Sequence, residues 1–264
     1  MTRLKPLPRL EFANREHLPY LVEHWYLGSR VRHYMMVRRF REVLEHAALA
    51  PGLEVLDLGC GWAYGTHWAH ALGCRATGID LGFDQLQWAA RSMPRGAALV
   101  HANARALPFA DGRFDRAVSV EMMEHVYRPD RPAVFAEIAR VIKHGGRVAL
   151  STPNPDSPIE SVKRVAVKWP WLRRTLPSSC FPEAEDDAGE YHPYRYHHPL
   201  SPAELIAGLE GVGFRVQGTK SFLWVLKTLP PPLLGLGRAA EALAEALPLV
   251  NRAGATTLVW AERV

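Results

Sequence analysis

The sequence predicts an α/β fold with a doubly wound, mostly parallel sheet of seven strands and helices on both faces. Three observations support this prediction. Short apolar runs alternate with helical periods between residues 53 and 154, as expected for parallel strands joined by crossover helices. A glycine-rich turn follows the first apolar run, in VLDLGCGWAYG. One more helix and two more strands follow residue 200.

Each predicted strand is a short apolar or alternating run bounded by turn residues. The strands are LEVLDLG at 53–59, CRATGID at 74–80, AALVHAN at 97–103, FDRAVSVE at 114–121, RVALSTPN at 147–154, FRVQGTKSF at 214–222 and TTLVWAER at 256–263. Helices are predicted at 16–49, 66–72, 81–93, 131–142 and 201–214. The last helix has the clearest start, because Ser201, Pro202 and Glu204 make a capping box with proline at the first position.

Two stretches interrupt the pattern. Residues 155–198 are rich in proline and aromatic residues and have no clean period, and residues 223–254 are apolar and partly helical. We predict a single domain over 1–264 with insertions after strand 5 and between strands 6 and 7. Its parts are an N-terminal helical lid at 1–50, a cofactor-binding core at 51–154, the insertion at 155–198 and the C-terminal part of the sheet at 199–264. Trp25, Tyr26 and Tyr34 either form the lid over the site or are core aromatics.

Composition narrows the class of protein. The net charge of +5 and the pI near 9.2 allow an anionic partner without requiring one. No 18-residue uncharged apolar run is present, and the first residues do not read as a signal peptide. The three scattered cysteines, Cys60, Cys74 and Cys180, indicate a reducing compartment. We therefore expect a cytoplasmic protein.

The glycine-rich turn is compatible with three kinds of ligand, of which we exclude two. A P-loop needs lysine after its last glycine, and Thr66 stands there instead. A dinucleotide fingerprint needs glycines at positions one, three and six, and the sixth position counted from Gly59 is Tyr64. The remaining kind is an adenosylated cofactor without a pyrophosphate. Asp57 would attract its ammonium group, and Asp80, which ends the next strand, can accept hydrogen bonds from ribose hydroxyls.

With these features the sequence resembles the class I S-adenosylmethionine-dependent methyltransferases of the type 11-like group, whose fold is Rossmann-like. The matching segments are VLDLGCGWAYG, ATGID, ANARALPFADGRFD, SVEMMEHV, EIARVIKHGGRVALSTPN and SPAELIAGLEGVGF. The resemblance implies S-adenosyl-L-methionine as cofactor and S-adenosyl-L-homocysteine as product. It implies cofactor contacts by Asp57, Gly59, Cys60, Gly61, Asp80, Leu81, Asn103, Ala104 and Glu121. Two positions depart from the family pattern, where Ala63 replaces a glycine and Asn103 replaces an aspartate.

The segment VEMMEHV holds the candidate catalytic groups. We predict His125 as general base, because the pKa of an unperturbed imidazole lies near neutrality. Glu121 and Glu124 lie within one turn of it. The late histidine of YHPYRYHH is His192, His197 or His198, and we favour His198. We predict no metal. The alternative is a divalent metal, since Glu-x-x-Glu-His with a late histidine resembles metal-dependent quinone-type O-methyltransferases and small-RNA 2′-O-methyltransferases.

The predicted function is methyl transfer to a small organic acceptor, at the oxygen of an aromatic or lipid-like molecule. One alternative is an RNA 2′-O-methyltransferase, although no RNA-binding module is recognisable and a nucleic-acid partner is not expected. Another is a non-catalytic cofactor-binding scaffold. The basic and tryptophan-containing stretch at 161–177 allows a peripheral membrane or lipid contact. No oligomeric state is predicted.

Overall fold

The structure is a computed structural model that describes residues 7, 9, 22–158, 197–248 and 250–264, without the side chains of His24 and Trp25. Most of the predicted insertion at 155–198 therefore lies outside the described residues. The strands are β1 Glu54–Leu58, β2 Arg75–Asp80, β3 Ala98–His101, β4 Phe114–Val120, β5 Ile142–Pro153, β6 Phe214–Phe222 and β7 Thr256–Arg263. The α-helices are α1 Arg30–His46, α2 Tyr64–Ala71, α3 Phe83–Ala90, α4 Arg131–Val141, α5 Pro202–Glu210 and α6 Leu234–Ala246.

The seven strands form one sheet in the order β3-β2-β1-β4-β5-β7-β6. Strands β1 to β5 pair in parallel, and β7 runs antiparallel between β5 and β6. The order of the strands therefore reverses between the neighbours β1 and β4, which is the topological switch point of the sheet. In sheets of this type ligands bind at the carboxyl ends of the strands beside this switch point. The predicted doubly wound, mostly parallel sheet is confirmed.

Separate apolar cores cover the two faces of the sheet. One core packs α1 and α2 on the sheet through residues such as Leu44 and Trp68. The other packs α4 and α5 through residues such as Ile138 and Leu205. Because both faces are covered, the central strands are apolar on both sides, which explains why they read as continuous hydrophobic runs.

The N-terminal helix is interrupted, contrary to the predicted continuous helix over 16–49. A π-helical turn at Val22–Tyr26 ends before Gly28, and Ser29 then caps α1 by accepting a hydrogen bond from the Arg32 amide at 3.3 Å. Residues 16–21 lie outside the described part of the chain. A serine cap inside an apolar pattern is a new helix start, and it sets the direction in which α1 crosses the sheet.

Strand β5 begins earlier than predicted, at Ile142 instead of Arg147. The stretch around Gly145 belongs to this strand, although HGG is typical of a helix end. A register shift between Phe114 and Arg116 on β4 accommodates the extra residues. The capping box of α5 is present as predicted, with Ser201 and Glu204 bonded to each other's backbone. Among the described helices, none has both the length and the apolarity to cross a bilayer.

Candidate active site

The turn after β1 is shaped by residues with positive φ. Gly59 has φ +67°, Gly61 has φ +50° and Ala63 has φ 60°. A Cβ on Gly59 would lie 2.1 Å from Cγ of Met122, so only glycine fits where the loop meets the segment after β4. A Cβ on Gly61 would meet nothing within 4 Å. The loop therefore has space above it, and its backbone is accessible to a ligand from that side.

Asp80 joins this loop to the turn after β2. One carboxylate oxygen accepts from the Gly61 amide at 2.8 Å, and the other accepts from the Gly82 amide at 2.7 Å. Each carboxylate oxygen can accept a further hydrogen bond. The side chain is thus held in place while retaining capacity for two hydroxyl donors, as recognition of a ribose requires.

Asp57 is enclosed beneath the loop. It is 2% exposed and accepts a hydrogen bond from the Thr66 hydroxyl at 2.7 Å. Burial raises the pKa of Asp57 to about 6, against the opposing effect of the Thr66 hydrogen bonds. Gly65 is needed here, since a Cβ would lie 2.7 Å from the carboxylate. The structure thus shows Asp57 linking β1 to α2, and its contact with a cofactor ammonium group stays a prediction.

The remaining predicted cofactor residues lie around the ends of β1, β2 and β3. Cys60 is buried and donates its amide hydrogen to the Ile79 carbonyl at 2.8 Å. Leu81 is 43% exposed and lines an open depression together with Trp62 and Phe83. The predicted contacts of Cys60 and Leu81 with a cofactor stay predictions.

Asn103 and Ala104 follow β3, which pairs with β2 up to Asp80. Both residues are partly buried. The side-chain oxygen of Asn103 accepts from the Arg105 amide at 3.0 Å, so the amide orders its own turn. The predicted contact of this amide with adenine stays a prediction, and it would use the second lone pair of the same oxygen.

Glu121 directly follows β4 and has φ 56°, an unfavourable conformation for a residue with a side chain. One carboxylate oxygen lies 3.5 Å from Nε of Arg39, and the other accepts from Ser151 at 3.4 Å. Arg39 also donates to Thr256 at 3.4 Å. Sequence reasoning missed Arg39, because nothing in the periodicity of α1 distinguishes it from a solvent-facing arginine.

Glu124 is a buried carboxyl group, 1% exposed, that accepts from the Thr152 hydroxyl at 3.2 Å. Burial, and then the charge of Glu121, raise the pKa of Glu124 well above its ordinary value. The neutral acid is therefore favoured unless a positive charge is close by. A buried carboxyl group with a strongly raised pKa is a candidate functional residue.

Two histidines flank Glu124. The rings of His125 and His197 are 5.4 Å apart, edge to face. Ligand-type atoms of Glu124, His125 and His197 all lie within 4.8 Å of one another. The structure thus places His197 in this group, whereas the sequence favoured His198. The backbone of His198 accepts from Arg131 at 2.5 Å and donates to the Glu124 carbonyl at 2.8 Å, so His198 fixes the position of its neighbour. A catalytic role of the His198 side chain stays a prediction.

Arg131 holds the segments that carry Glu124 and His197 in position. Its side chain is buried, and besides His198 it donates to the Val126 carbonyl at 3.1 Å. It therefore connects the segment after β4 with the segment that carries His197. Sequence reasoning treated Arg131 only as the first residue of a helix, and no local pattern marks an arginine whose partners lie far along the chain.

The aromatic residues proposed as a lid have different surroundings. Tyr26 is buried and stacks on Tyr64 of α2 with ring centroids 5.4 Å apart, which agrees with the interpretation as a core aromatic. Tyr34 donates to Glu241 of α6. The side chain of Trp25 lies outside the described residues. Trp62 of the glycine loop packs edge to face on Trp88 of α3 at 5.4 Å.

Known proteins match this chain in sequence and in fold. Residues 56–150 match the family model described as a methyltransferase domain. The ubiquinone biosynthesis O-methyltransferase of Nitrosococcus oceani is 35% identical over 183 residues, which are 68% of this chain and 70% of that protein. The S-adenosylmethionine-dependent methyltransferase of Mesorhizobium loti, a crystal structure, superposes with a TM-score of 0.58 at 19% identity, over 87% of this chain and 98% of the other.

Other relatives match over less of their length. The malonyl-[acyl-carrier protein] O-methyltransferase of Erwinia pyrifoliae is 34% identical over 157 residues, covering 56% of this chain and 55% of that protein. The chain likewise spans only about half the length of several other curated relatives. The matched residues include both the glycine loop and the segment after β4. From its sequence, its sheet and the residues at the switch point, the chain belongs to the family of S-adenosylmethionine-dependent methyltransferases.

Proposed function

We propose that this protein transfers a methyl group from S-adenosylmethionine to an oxygen atom of a small organic acceptor of aromatic or lipid-like character. One observation carries the proposal. The buried acid Glu124 and the histidines His125 and His197 lie beside the end of β4, and Met122 of the same segment lies against Gly59 of the glycine loop. A proton acceptor is thus next to the place where the cofactor would bind.

The residues around the loop fit the cofactor. Open space borders Gly61, the Asp80 carboxylate retains acceptor capacity for a ribose, and Leu81 and Trp62 line an open depression where a base could lie. When bound, S-adenosylmethionine supplies a methyl group on a positively charged sulfur, which is a good leaving group. The protein then has to orient the acceptor and remove its proton.

In this proposal His125 removes the proton from the acceptor hydroxyl. Glu124 has a carboxylate oxygen within 4.8 Å of a ring nitrogen of His125, and Thr152 holds Glu124 in position. Glu121, kept in a strained backbone conformation and contacted by Arg39, borders the same edge. The names of two relatives, a ubiquinone-biosynthesis and a malonyl-acyl-carrier-protein O-methyltransferase, support oxygen as the acceptor atom.

Glu124, His125 and His197 could also bind a divalent metal ion. One carboxylate and two imidazoles with atoms within 4.8 Å of one another suit a transition metal or zinc. Glu124, His125 and His197 would be the ligands, and such an ion would lower the pKa of an acceptor hydroxyl. An RNA acceptor has less support, since only the Glu-x-x-Glu-His pattern with a late histidine favours it.

The test uses purified protein, S-adenosylmethionine with a labelled methyl group and fractionated cell extract, with and without a chelator. We expect label in an organic-soluble fraction. His125→Ala should lower the rate by on the order of 100-fold or more while leaving the affinity for S-adenosylhomocysteine unchanged. His144→Ala is the matched control. His144 is exposed and lies near the amino end of β5, whereas the candidate site lies at the carboxyl ends of the strands.

Other results of the labelling experiment would distinguish the alternatives. Loss of activity with the chelator, and its return with added metal, would support the metal. Label in RNA, with binding that weakens steeply as salt increases, would replace the small acceptor with a nucleic acid. Cofactor binding without transfer to any fraction would favour a scaffold. Full activity of His125→Ala would contradict the assigned base.

A further inference from the structure

Helix α6 and its flanking turns expose an unusual amount of apolar surface. The exposed fractions are 51% for Leu226, 42% for Leu233, 71% for Leu236, 63% for Leu243, 44% for Leu247 and 39% for Val250. We call these six residues the leucine face. They are six of the ten large hydrophobic residues that are exposed in the described part of the chain, so the apolar surface is concentrated here. A concentration of this kind marks an interaction surface.

The opposite side of α6, which faces the protein, carries two acids beside Leu234, which packs on the core. Glu241 is 2% exposed and accepts from the Tyr34 hydroxyl and, at 2.8 Å, from the Trp224 amide. Glu245 pairs with Arg38 at 2.8 Å and with Lys220 at 3.2 Å. An ordinary surface helix turns its leucines inward and its charges outward. Helix α6 departs from this pattern, because Leu236 and Leu243 face solvent while Glu241 and Glu245 face the protein. The hydrogen bonds and ion pairs of these two acids hold the helix in this orientation.

The exposed charges beside the leucine face are positive. Between residues 223 and 254 the acids are Glu241 and Glu245, and both are turned inward. Arg238 and Arg252 are exposed. The guanidinium of Arg238 lies 5.3 Å from the ring centre of Tyr34, and the exposed Arg30 precedes Tyr34 by one turn of α1. The surface is therefore apolar with a cationic border.

We propose that the leucine face docks on the surface of an anionic lipid bilayer, with α6 parallel to the membrane plane. Leucines on one side and cations at the border are what binding at the interface of an anionic membrane requires. A bare apolar patch would fit another protein equally well, but the cations without exposed acids in 223–254 favour anionic headgroups.

The docking surface is connected to the candidate active site. The side-chain amide of Asn154, which follows β5, donates to the carbonyls of Arg252 and Gly254 at 3.1 and 2.8 Å. The same end of β5 carries Thr152, which holds Glu124. Docking would therefore bring the reactive edge near the bilayer, where a lipid-soluble acceptor could be taken up. That consequence rests on the proposed function, whereas the docking itself does not.

The test measures co-sedimentation of the full chain with vesicles of phosphatidylcholine alone or mixed with phosphatidylglycerol. We expect binding to the mixed vesicles that is weaker at high salt. The double variant Leu236→Asp/Leu243→Asp should bind roughly tenfold or more weakly, because two leucines no longer enter the interface. Val264→Asp, a single change of the same kind at a residue that is 63% exposed outside the face, should bind like the wild type.

Affinity for S-adenosylhomocysteine serves as the folding control, since the double variant changes only exposed side chains and should retain it. Equal vesicle binding by the wild type and the double variant would overturn the proposal, as would no binding by either. A wild type that forms dimers which the double variant cannot form would assign the face to a second copy of the chain. A failure of docking with intact methyl transfer leaves the proposed function standing.

Discussion

The Asp80 carboxylate accepts from the Gly61 and Gly82 amides, so it shapes the loop, and we propose that it also binds the ribose of the cofactor. We expect Asp80→Ala to weaken binding of S-adenosylhomocysteine by about 10- to 100-fold. This loss corresponds to the free energy of a hydrogen bond to a charged group, about 1.5–3 kcal/mol. Titration calorimetry measures this. Asp111→Ala is the control, because Asp111 is a highly exposed acid whose ion pair lies elsewhere. Equal losses in both variants would contradict the assignment.

Asp57 allows a prediction on pH. Because its pKa is raised to about 6 by burial, the folded protein holds this proton to higher pH than the unfolded chain. Binding of this proton stabilises the folded protein. The stabilisation is fully present below the pKa that Asp57 has in the unfolded chain, and it is lost as the pH increases through about 6. Asp57→Asn has no such loss.

The free energy of unfolding of Asp57→Asn, relative to the wild type, should therefore increase by roughly 2–3 kcal/mol between pH about 4 and about 8. Denaturant unfolding at several pH values measures it, and Asp111→Asn, a change at a side chain that is 81% exposed, is the control. A difference that stays constant with pH would contradict the burial of a titrating Asp57. The same variant should bind the cofactor more weakly if Asp57 faces the ammonium group, so stability and function would change in opposite directions.

At the scale of elements, α4 and α5 meet where a glycine allows close contact. A Cβ on Gly208 of α5 would lie 2.3 Å from the ring of Phe135, which is buried. Alanine normally stabilises a helix by up to about 1 kcal/mol relative to glycine. Here the ring cannot move away, and overpacking costs about 1–3 kcal/mol.

We therefore expect Gly208→Ala to lower the free energy of unfolding, measured by chemical denaturation. Gly235→Ala in α6 is the matched comparison, because a Cβ there would meet nothing within 4 Å. That variant should be as stable as the wild type or slightly more stable. If both substitutions stabilised the protein, helix propensity would decide the outcome and the contact between α4 and α5 would not be tight.

The positions of most elements could be predicted because hydrophobic period and capping are local properties. The capping box of Ser201 and Glu204 is an example. The break before Ser29 and the early start of β5 were not predicted. In the first case the apolar period continues across the break. In the second, Ile142 already pairs with Phe114, and Gly145 keeps a turn-like φ of +72° in the bulge before Arg147.

In the candidate site, too, local features could be predicted and features that depend on tertiary contacts could not. Gly59 and Asp80 could be predicted because each follows a strand whose end is evident from the sequence. The choice between His197 and His198 depends on contacts with Glu124 and Arg131, more than sixty residues away in the chain. Arg39, Thr66 and Arg131 were likewise missed, because their partners are brought to them only by tertiary packing.

At the scale of the whole molecule, the order of the strands brings the parts of the site together. The glycine loop follows β1 and the segment with Glu124 follows β4, and these two strands are neighbours at the switch point. Contact between Gly59 and Met122 joins the two segments. A cofactor held by the first segment would therefore present its reactive end to the second, which is the central claim of the proposed function.

Titration calorimetry of the full chain with S-adenosylhomocysteine, repeated in the presence of NAD, tests this claim most directly. We predict saturable binding of S-adenosylhomocysteine that an excess of NAD leaves unchanged, since Asp57 and the loop glycines do not suit a pyrophosphate. Binding of NAD in preference to S-adenosylhomocysteine, with displacement of the latter, would contradict the account.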